Sequence, residues 1–443
     1  MPPLPTRGPL AGLTVLDLTW VLSGPFAAMT LSDLGADVIK IERPPYGDIA
    51  RTTGPHVRSP HPPAPSPGSS IARSAISNRE GEGMEESSYF FSINRGKRSV
   101  AIDLRAEAGK AAFCALVRAA DVVLENFTPG TMDRLGLGYA VLRGLNPRLV
   151  YCAISGFGQT GPDRDLPALD VIVQGMGGIM SITGEPGRPP VRVGTSIGDV
   201  AAGLYAAVGI LSALRERDRS GEGQFVDISM LDCQLAIQEN AFGRYFASEK
   251  HVVPGPLGTR HPAATPFQAF PTRDGYIVVA LAFGAENQWQ LLCAILGVVE
   301  LLDDERFETS GKRTANHAAL EPVLNAAFAK RTTAAWLTEL RPAGIPCGPV
   351  NTIADAAASP QVAARRMLTS VTHPKGMSLT IVDSPVKLSR TPGGIKGPPP
   401  TVGQDTRAVL RELGGLDEAR IDTLLSAGIV LETDPKTAPA IPH

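Results

Sequence analysis

The segment T-V-L-D-L-T-W-V-L-S-G-P-F-A-A-M-T-L-S-D-L-G-A-D-V-I-K-I-E, from Thr14 to Glu42, decides the fold class. Its two ends, T-V-L-D-L and D-V-I-K-I-E, are short apolar runs typical of buried strands. Between them a helix begins at Gly24-Pro25, because proline is well tolerated in a first helical turn, and Gly35 ends it. The segment therefore predicts a strand, a helix and a second strand, the unit from which parallel sheets are built.

The same alternation continues along the first half of the chain. Further apolar strands are predicted from Ser99 to Leu104, from Asp121 to Asn126 and from Arg148 to Ser155. A helix is predicted from Ala106 to Ala119, and a later short strand from Phe225 to Met230. Buried strands separated by helices are typical of sheets covered on both faces. We therefore predict an α/β protein whose large domain is a Rossmann-like, doubly wound parallel sheet.

Composition limits the class of protein. The chain has 443 residues, of which 43% are hydrophobic, and a net charge of −2. This length allows two domains, and the near-neutral charge argues against nucleic acid or a membrane surface as a partner. The opening M-P-P-L-P-T-R-G-P-L lacks the apolar core of a signal peptide, and no apolar run approaches the roughly 18 residues of a membrane span. Five cysteines without a C-x-x-C pair predict a reducing, cytoplasmic location and no metal site.

Changes in composition along the chain predict the domain boundaries. We predict a large domain over 1–230, a linker helix over 231–254, a smaller α+β domain over 255–340 and a return to the large domain over 341–443. Within the large domain, residues 54–87 are rich in Pro, Ser and Gly, so we expect a disordered insertion or surface loop. In the smaller domain, residues 266–281 predict a hairpin with Asp274-Gly275 at its turn.

A second informative stretch is G-T-S-I-G-D-V-A-A-G-L-Y-A-A-V-G-I-L-S-A-L, from Gly194 to Leu214. It predicts an apolar helix with Asp199 in its first turn, where free backbone N–H groups face the carboxylate. We expect that environment to keep Asp199 ionised. Two interpretations follow from the local sequence: Asp199 is a nucleophile toward an activated acyl group, or it is simply an N-cap.

Basic and aromatic residues follow several predicted strands. Arg43 and Arg105 each come directly after a strand, and Arg134 follows the string E-N-F-T-P-G. Ligands of open parallel sheets bind beyond the carboxyl ends of the strands, so these arginines predict a polyphosphate ligand, although each could equally be solvated surface. Asn126 and Phe127 end a strand and could hold a base or a pantetheine arm; alternatively, Phe127 belongs to the core.

Two further features have plainer interpretations. The string G-F-G-Q-T-G, from Gly156 to Gly161, fits a dinucleotide-binding pattern, but Pro162 and Pro167 prevent the helix that such a site needs. We therefore expect a closely packed glycine-rich loop. Asp170 precedes an apolar segment, so it is expected to cap a helix, with a place in the same cavity as the alternative.

Taken together, strings in order along most of the chain resemble the class III CoA-transferase family, also called the CaiB/BaiF family. They include L-D-L-T-W-V-L-S-G-P-F-A, L-G-A-D-V-I-K-I-E-R-P, N-R-G-K-R-S-V-A-I-D-L, D-V-V-L-E-N-F-T-P-G, N-P-R-L-V-Y-C-A-I-S-G-F-G-Q-T-G-P and I-G-D-V-A-A-G. The resemblance implies an interlocked homodimer, no permanently bound cofactor, and an acyl-CoA thioester and a small carboxylic acid as substrates. It also implies site residues: Asp199 as the catalytic carboxylate, Arg43, Arg105, Asn126, Phe127 and Arg134 at the cofactor, and Asp170 and Trp20 in the substrate pocket.

The activity implied is transfer of CoA between carboxylic acids through anhydride and thioester intermediates on Asp199. One alternative is an acyl-CoA racemase or isomerase of the same fold. Racemases of this kind carry a histidine where this chain has Leu169, and leucine cannot move a proton. A second alternative is a CoA-binding protein without chemistry, and the identities of donor and acceptor stay open. Some transferases cover the reacting centre with a long glycine loop, of which Gly255 to Thr259 is a short counterpart.

Overall fold

A computed structural model of the chain describes residues 8–58, 85–281 and 287–435. The strands in these residues are β1 (Thr14–Asp17), β2 (Asp37–Glu42), β3 (His56–Arg58), β4 (Glu85–Ser87), β5 (Arg98–Ile102), β6 (Val122–Glu125), β7 (Val150–Ser155), β8 (Phe225–Ser229), β9 (Phe267–Thr272), β10 (Gly275–Ala280), β11 (Cys347–Pro349), β12 (Leu368–Thr372), β13 (Ser378–Val382) and β14 (Val430–Leu431).

The α-helices of the same residues are α1 (Ser23–Asp33), α2 (Ser88–Ile93), α3 (Glu107–Val117), α4 (Thr131–Arg134), α5 (Tyr139–Leu145), α6 (Asp170–Met176), α7 (Ile179–Ile182), α8 (Ile197–Ser220), α9 (Met230–Ala236), α10 (Glu239–Ala247), α11 (Asn287–Leu296), α12 (Ser310–Ala315), α13 (His317–Phe328), α14 (Thr333–Leu340), α15 (Ile353–Ala357), α16 (Pro360–Ala364), α17 (Thr406–Glu412) and α18 (Glu418–Ser426).

A seven-stranded sheet in the order β14-β5-β2-β1-β6-β7-β8 forms the centre of the fold. Six neighbouring strands of this sheet run parallel to one another: β5, β2, β1, β6, β7 and β8. The seventh, β14, pairs antiparallel with β5. The chain builds outward from β1 to β2 and β5, then crosses back and adds β6, β7 and β8 on the other side. The prediction of an α/β fold with a large, mainly parallel sheet is confirmed. The order of its strands reverses between β1 and β6, a point where open α/β sheets bind ligands.

The sheet is buried on both faces because successive side chains of a strand point to opposite sides. In β1, Leu16 belongs to one core cluster, together with Phe113 of α3 and Leu410 of α17. Its neighbour Val15 belongs to a second cluster, together with Ala28 of α1 and Ala202 of α8. Two helical layers therefore cover the sheet, and the carboxyl ends of the strands remain at its edge.

Helix α8 is the long apolar helix predicted after Gly194, and it packs against α1 in the second cluster. A Cβ atom at Gly203 would lie 2.7 Å from the backbone oxygen of Ser23, so the close approach of the two helices requires a glycine. An 18-residue window of α8 has a mean hydropathy of 1.7, enough for a membrane span by length and composition. The expectation that no run approaches that length is therefore wrong. Half of that window is buried within the protein, as in a core helix.

The ends of the segment expected to be a disordered insertion or loop are ordered into strands. Strands β3 and β4 pair antiparallel, with His56 opposite Ser87, and the Ser87 hydroxyl accepts a hydrogen bond from the Phe90 N–H at the start of α2. The prediction for 54–87 is therefore wrong at 56–58 and 85–87, where these strands are too short to show an apolar period. The rest of that prediction, over 59–84, lies outside the described residues.

The chain forms two compact units. The first comprises Met1–Ile179, Val193–Gly243 and Ala363–His443, and the second comprises Met180–Arg192 and Arg244–Val362. The second unit has its own core, which includes Phe270, Trp289 and Phe328. This unit is larger than the predicted 255–340, and it includes Met180–Arg192, which we had predicted to belong to the large domain. The Gly258 N–H donates a 2.8 Å hydrogen bond to the Gly184 oxygen of that segment. The predicted linker helix is two helices, α9 and α10.

Candidate active site

A cavity of about 850 Å³ opens at the carboxyl ends of β1, β2, β5 and β6. We call it the strand-end cavity. Its lining residues are Leu18, Thr19, Trp20, Lys40, Ile41, Glu42, Arg43, Tyr46, Gly47, Asp48, Ile49, Thr52, Ile102, Asp103, Leu104, Arg105, Phe127, Thr131, Arg134 and Leu135. Five of the residues predicted from sequence, Trp20, Arg43, Arg105, Phe127 and Arg134, therefore lie around one space.

Three exposed arginines reach this cavity from different elements. Arg43 follows β2, Arg105 follows β5, and Arg134 ends α4 with its Nη2 donating to the Thr131 hydroxyl at 2.8 Å. They converge because the carboxyl ends of parallel strands share one edge of the sheet. Arginines presented together in this way bind phosphate groups through charge-assisted hydrogen bonds.

A fourth guanidinium lies close by and was missed from sequence. Gly130, at φ 76°, precedes α4. A Cβ atom there would lie 3.2 Å from Nη1 of Arg134 and 3.9 Å from Nη2 of Arg164. Both guanidinium groups therefore lie against this glycine, although Arg164 follows Arg134 by 30 residues in the chain. No local pattern links the two positions.

Two aromatic rings form an apolar wall of the cavity. The Trp20 and Phe127 rings meet edge to face, with centroids 6.3 Å apart. Phe127 packs against the first core cluster and also lines the cavity. Rings beside arginines suit a flat heteroaromatic group attached to phosphates.

Asn126 does not line the cavity. Its Oδ1 accepts a hydrogen bond from the Trp20 N–H at 3.0 Å, and its Nδ2 donates to the Trp20 oxygen at 2.9 Å. The amide that we expected to hold a base or a pantetheine arm is therefore occupied by backbone. It fixes the position of Trp20 instead.

The backbone after β1 is strained and held by side chains. Val21 has φ 64°, a left-handed conformation that a β-branched residue rarely adopts. The Val21 N–H donates to Oδ1 of Asp48 at 3.1 Å. The Thr19 N–H donates to Oδ1 of Asp17 at 3.0 Å, and the Thr19 oxygen accepts from Nζ of Lys40 at 2.7 Å. Such strain persists where the surroundings determine the conformation, and it is concentrated at functional sites.

The side chains that hold this segment belong to a buried set of charges. Its ion pairs are Asp17 with Lys97 at 2.9 Å, Lys40 with Asp48 at 2.9 Å, and Glu42 with Arg51 at 2.7 Å. Burial lowers the pKa of Lys97 to about 8, with Lys40 adding to the effect and Asp17 opposing it. The Glu42 pKa falls to about 2, because Arg51 and Lys40 outweigh the effect of burial. Losing one partner of such a buried pair is strongly destabilising, so the set is a rigid support.

Asp199 is the third residue of α8, and Ser196 occupies the N-cap position. The interpretation of Asp199 as an N-cap is therefore wrong. Its carboxylate is mostly buried, and the Ser23 side chain at the start of α1 lies close to it. Burial and the nearby Asp170 raise the pKa of Asp199 to about 7, and the Ser23 hydroxyl opposes them. Against the expectation that the helix N-terminus keeps Asp199 ionised, loss of hydration disfavours the charged form and raises its pKa.

Asp170 is the first residue of α6 and acts as a cap, though not for its own helix. Its Oδ1 accepts a hydrogen bond from the Gly198 N–H of α8 at 2.8 Å, and its Oδ2 accepts from Nε2 of Gln174 at 2.8 Å. Asp170 is therefore a cap, as predicted from sequence, but it caps α8, the helix that carries Asp199, and not α6. Neither Asp170 nor Asp199 is among the residues that line the strand-end cavity.

The segment after β1 connects these two groups of residues. Trp20 lines the cavity, and three residues later Ser23 lies near Asp199. Tyr89 of α2 was missed from sequence. Burial and the charges of Asp199, Asp48 and Asp170 raise its pKa to about 12, so the phenol stays protonated as a hydrogen-bond donor. The Y-F-F string that begins with Tyr89 is an ordinary apolar pattern, and nothing in it indicates that the phenol lies near these three carboxylates.

Comparisons with known proteins place the chain in one family. The profile of CoA-transferase family III matches residues 10–406. An acetyl-CoA:oxalate CoA-transferase from Acetobacter aceti is 42% identical over 388 residues, which cover 87% of this chain and 91% of that protein. A succinyl-CoA:glutarate CoA-transferase from Mus musculus is 36% identical over 428 residues, which cover 97% of this chain and 92% of that protein.

A solved structure is similar over almost the same length. The crystal structure of a CaiB/BaiF family protein from Brucella suis has a TM-score of 0.78 and 39% identity, covering 92% of this chain and all (100%) of that one. The family match and these relatives define the class of enzyme. The chain belongs to CoA-transferase family III, as its sequence strings predicted.

The raised pKa of Asp199 predicts a gain in stability for Asp199→Asn that grows with pH. Between its ordinary pKa of 3.8 and about 7, the folded protein holds a proton that the unfolded chain has released. Folding stability therefore falls as pH rises through this window, and the loss is complete above it. Asparagine removes the loss, so the melting temperature of the variant should exceed that of the unaltered protein by more at pH 8 than at pH 5.

The matched control is Asp218→Asn, which changes an exposed carboxylate on the same helix. Its effect on the melting temperature should be the same at both pH values. An Asp199→Asn effect that is equally independent of pH would show that Asp199 has an ordinary pKa.

Proposed function

We propose that the protein is an acyl-CoA:carboxylate CoA-transferase in which Asp199 is the covalent nucleophile. The observation that carries the proposal is the position of Asp199, whose mostly buried carboxylate lies near Ser23. Ser23 is three residues along the chain from Trp20, which lines the arginine-lined cavity. The relatives named for oxalate and glutarate transfer support the reaction class. A nucleophilic carboxylate is one established route to covalent acyl transfer.

The reaction proceeds in four balanced steps. The ionised Asp199 carboxylate attacks the thioester carbonyl of the donor, the C–S bond breaks, and a mixed anhydride and CoA thiolate form. The thiolate attacks the Asp199 carbonyl of the anhydride, which releases the donor acid and leaves an aspartyl-CoA thioester. The acceptor carboxylate attacks that thioester to give a second anhydride and thiolate. Attack of the thiolate on the acceptor carbonyl then yields the new acyl-CoA and restores the carboxylate.

The environment of Asp199 suits this cycle. A pKa of about 7 leaves a substantial ionised fraction at neutral pH while keeping the carboxylate poorly hydrated, and desolvated nucleophiles are more reactive. The protonated Tyr89 phenol is a donor placed near the same charge. CoA enters as a substrate, and the four steps balance without a resident cofactor. The five cysteines, all free thiols, suit the cytoplasm that we expect as the location.

The cofactor assignment follows the strand-end cavity. We assign the phosphates of CoA to Arg43, Arg105 and Arg134, and its adenine or pantetheine arm to the ring faces of Trp20 and Phe127. In this proposal Asn126 acts indirectly, through the Trp20 backbone that it holds. Asp170 acts indirectly as well, through the Gly198 N–H of α8.

Covalent trapping tests the nucleophile. Incubation with acyl-CoA and hydroxylamine should convert Asp199 to its hydroxamate, which mass spectrometry of the digested protein locates. Asp199→Asn should lower kcat by at least about a thousandfold, because an amide cannot form the anhydride. Asp218→Asn, at the far end of the same helix, should keep both transfer and trapping.

Three results would contradict the proposal in different ways. Trapping at another residue would move the nucleophile elsewhere. Exchange of the α-proton with deuterated water, without any acceptor acid, would favour the racemase or isomerase alternative. Tight binding of CoA with no transfer to any acid in a panel offered with succinyl-CoA would leave a binding protein.

The cavity assignment predicts a separable effect on binding. Arg43→Ala, Arg105→Ala and Arg134→Ala should each raise KM for acyl-CoA by roughly tenfold and change kcat much less, since each removes a charge-assisted phosphate contact far from the reacting carbonyl. Arg118→Ala, an exposed arginine at the end of α3 outside the cavity, is the control and should behave as the unaltered enzyme. Unchanged KM in all three variants would refute the assignment.

We further propose that two chains form the interlocked homodimer of the family. One face of α8 supports an interface, because Leu204, Tyr205 and Val208 are large apolar residues with 48%, 41% and 59% of their surface exposed. Light scattering on the purified enzyme should give roughly twice the 46.6 kDa mass of one chain. A mass of one chain at micromolar concentration would exclude an interlocked pair.

A further inference from the structure

We propose that Glu125 is a positioning residue for CoA binding, which holds the Phe127 ring in the wall of the strand-end cavity by bonding the Phe127 backbone. The inference rests on the proposed binding of CoA in that cavity. It gives a role to a buried carboxyl that the proposed reaction does not use. Since Asn126 holds the Trp20 backbone, both rings of the wall are then held by side chains at the end of one strand.

The contact between Glu125 and Phe127 is the first observation. Strand β6 ends at Glu125, so the Phe127 N–H lies beyond the hydrogen-bond ladder of the sheet. Oε2 of Glu125 accepts a hydrogen bond from that N–H at 2.7 Å, which is at the short end of the range for such bonds. Oε1 lies 3.4 Å from the Tyr151 hydroxyl, so both carboxyl oxygens have a partner. The carboxyl therefore has one orientation, and it fixes the backbone two residues further on.

The Phe127 ring connects this contact to the cavity. It lines the cavity and meets the Trp20 ring edge to face, with centroids 6.3 Å apart. Glu125 is only 6% exposed and is not one of the lining residues. An effect of Glu125 on a ligand in the cavity must therefore pass through a residue that lines it, and Phe127 is the one that its side chain bonds.

A buried carboxyl at this place is costly, which calls for a reason beyond stability. The three residues before Glu125 in β6, Val122–Leu124, are apolar and fully buried. Burial raises the pKa of Glu125 to about 7, the bonds to Phe127 and Tyr151 oppose this only in part, and Asp133 adds a charge of the same sign. Burying a carboxyl disfavours folding unless its partners compensate for the lost hydration. The position of the Phe127 backbone is what this carboxyl secures in return.

A double-mutant cycle on the affinity for free CoA, measured by titration calorimetry, tests the role. Phe127→Ala should raise Kd by about tenfold, since it removes one ring of the wall, and Glu125→Ala by about fivefold, since it leaves the ring unanchored. The double variant should bind no more weakly than Phe127→Ala alone, because Glu125 acts only through that ring. Independent effects would instead multiply to about fiftyfold.

Two conservative variants separate the hydrogen bond from the charge. Glutamine at this position keeps an oxygen that accepts the Phe127 N–H, and its amide can donate to the Tyr151 oxygen, so Glu125→Gln should keep the affinity of the unaltered protein. Glu125→Asp keeps the charge but withdraws it by one methylene, so it should raise Kd by about threefold. The melting temperature shows whether each variant is folded, and Glu125→Asp decides the outcome if Glu125→Ala is not.

The matched control is Ser155→Ala at the end of β7, the neighbouring strand. Ser155 is 7% exposed, and its Oγ accepts the Gly158 N–H at 3.0 Å, so it is a similarly buried side chain that holds the backbone after a strand. Neither Ser155 nor Gly158 lines the cavity. The affinity of this variant for CoA should equal that of the unaltered protein.

The inference is overturned by a Glu125→Ala affinity equal to that of the unaltered protein, by effects that multiply in the double variant, or by a loss in Glu125→Gln as large as in Glu125→Ala. The proposed function fails on other results. Unchanged affinity in Phe127→Ala would remove the CoA assignment and this inference with it. Transfer retained by Asp199→Asn would remove the proposed nucleophile and leave the CoA affinities, and hence this inference, as measured.

The kinetic readout agrees with the binding readout if the role is positioning. Glu125→Ala should raise KM for acyl-CoA by about the same fivefold and leave kcat within about twofold, because the reacting carboxylate is untouched. A fall in kcat with an unchanged KM would show that Glu125 acts on the chemical step and would overturn the inference.

Discussion

The backbone between Thr19 and Ser23 is the constraint on which the candidate site depends. Within a few residues it places the Trp20 ring at the strand-end cavity and Ser23 near Asp199. To do so it adopts a left-handed conformation at Val21, which is unfavourable for a β-branched residue. Hydrogen bonds with buried charged side chains hold it there, among them the bond that the Val21 N–H donates to Asp48. The buried ion pairs beneath the sheet edge are thus best understood as supports for a strained functional segment, since buried pairs by themselves contribute little net stability.

Asp199 shows how two physical effects compete at one helix end. The N-terminus of α8 offers partial positive charge and free N–H groups, which favour a carboxylate. Burial and the neighbouring Asp170 disfavour it, and they prevail. Asp170 has already taken the Gly198 N–H, so one donor that could have stabilised Asp199 is occupied. In the proposed function, a fold that keeps this carboxylate partly neutral near pH 7 gives up stability for reactivity, a common compromise at active sites.

The fold was largely predictable because its strands are buried and apolar. Strand β2 has the bounds expected from sequence, and the β9–β10 hairpin turns at Arg273-Asp274, beside the expected Asp274-Gly275. The strands β3 and β4 were missed, since three-residue strands carry no measurable period. The assignment of Met180–Arg192 to the second unit was missed as well. It depends on a contact with Gly258, more than seventy residues away, that no local pattern records.

The sequence by itself determined which residues stand at the ends of parallel strands, and therefore that Arg43, Arg105 and Phe127 would meet, because parallel strands end at one edge. It also determined that Asp199 would lie in the first turn of a helix. Only the tertiary structure decided what those residues touch. Asn126 faces the Trp20 backbone, and Asp170 caps α8. Burial sets the pKa of Asp199. The physical reason is that hydration and hydrogen-bond direction depend on atoms brought together from distant parts of the chain, whereas strand ends and helix turns follow from neighbouring residues.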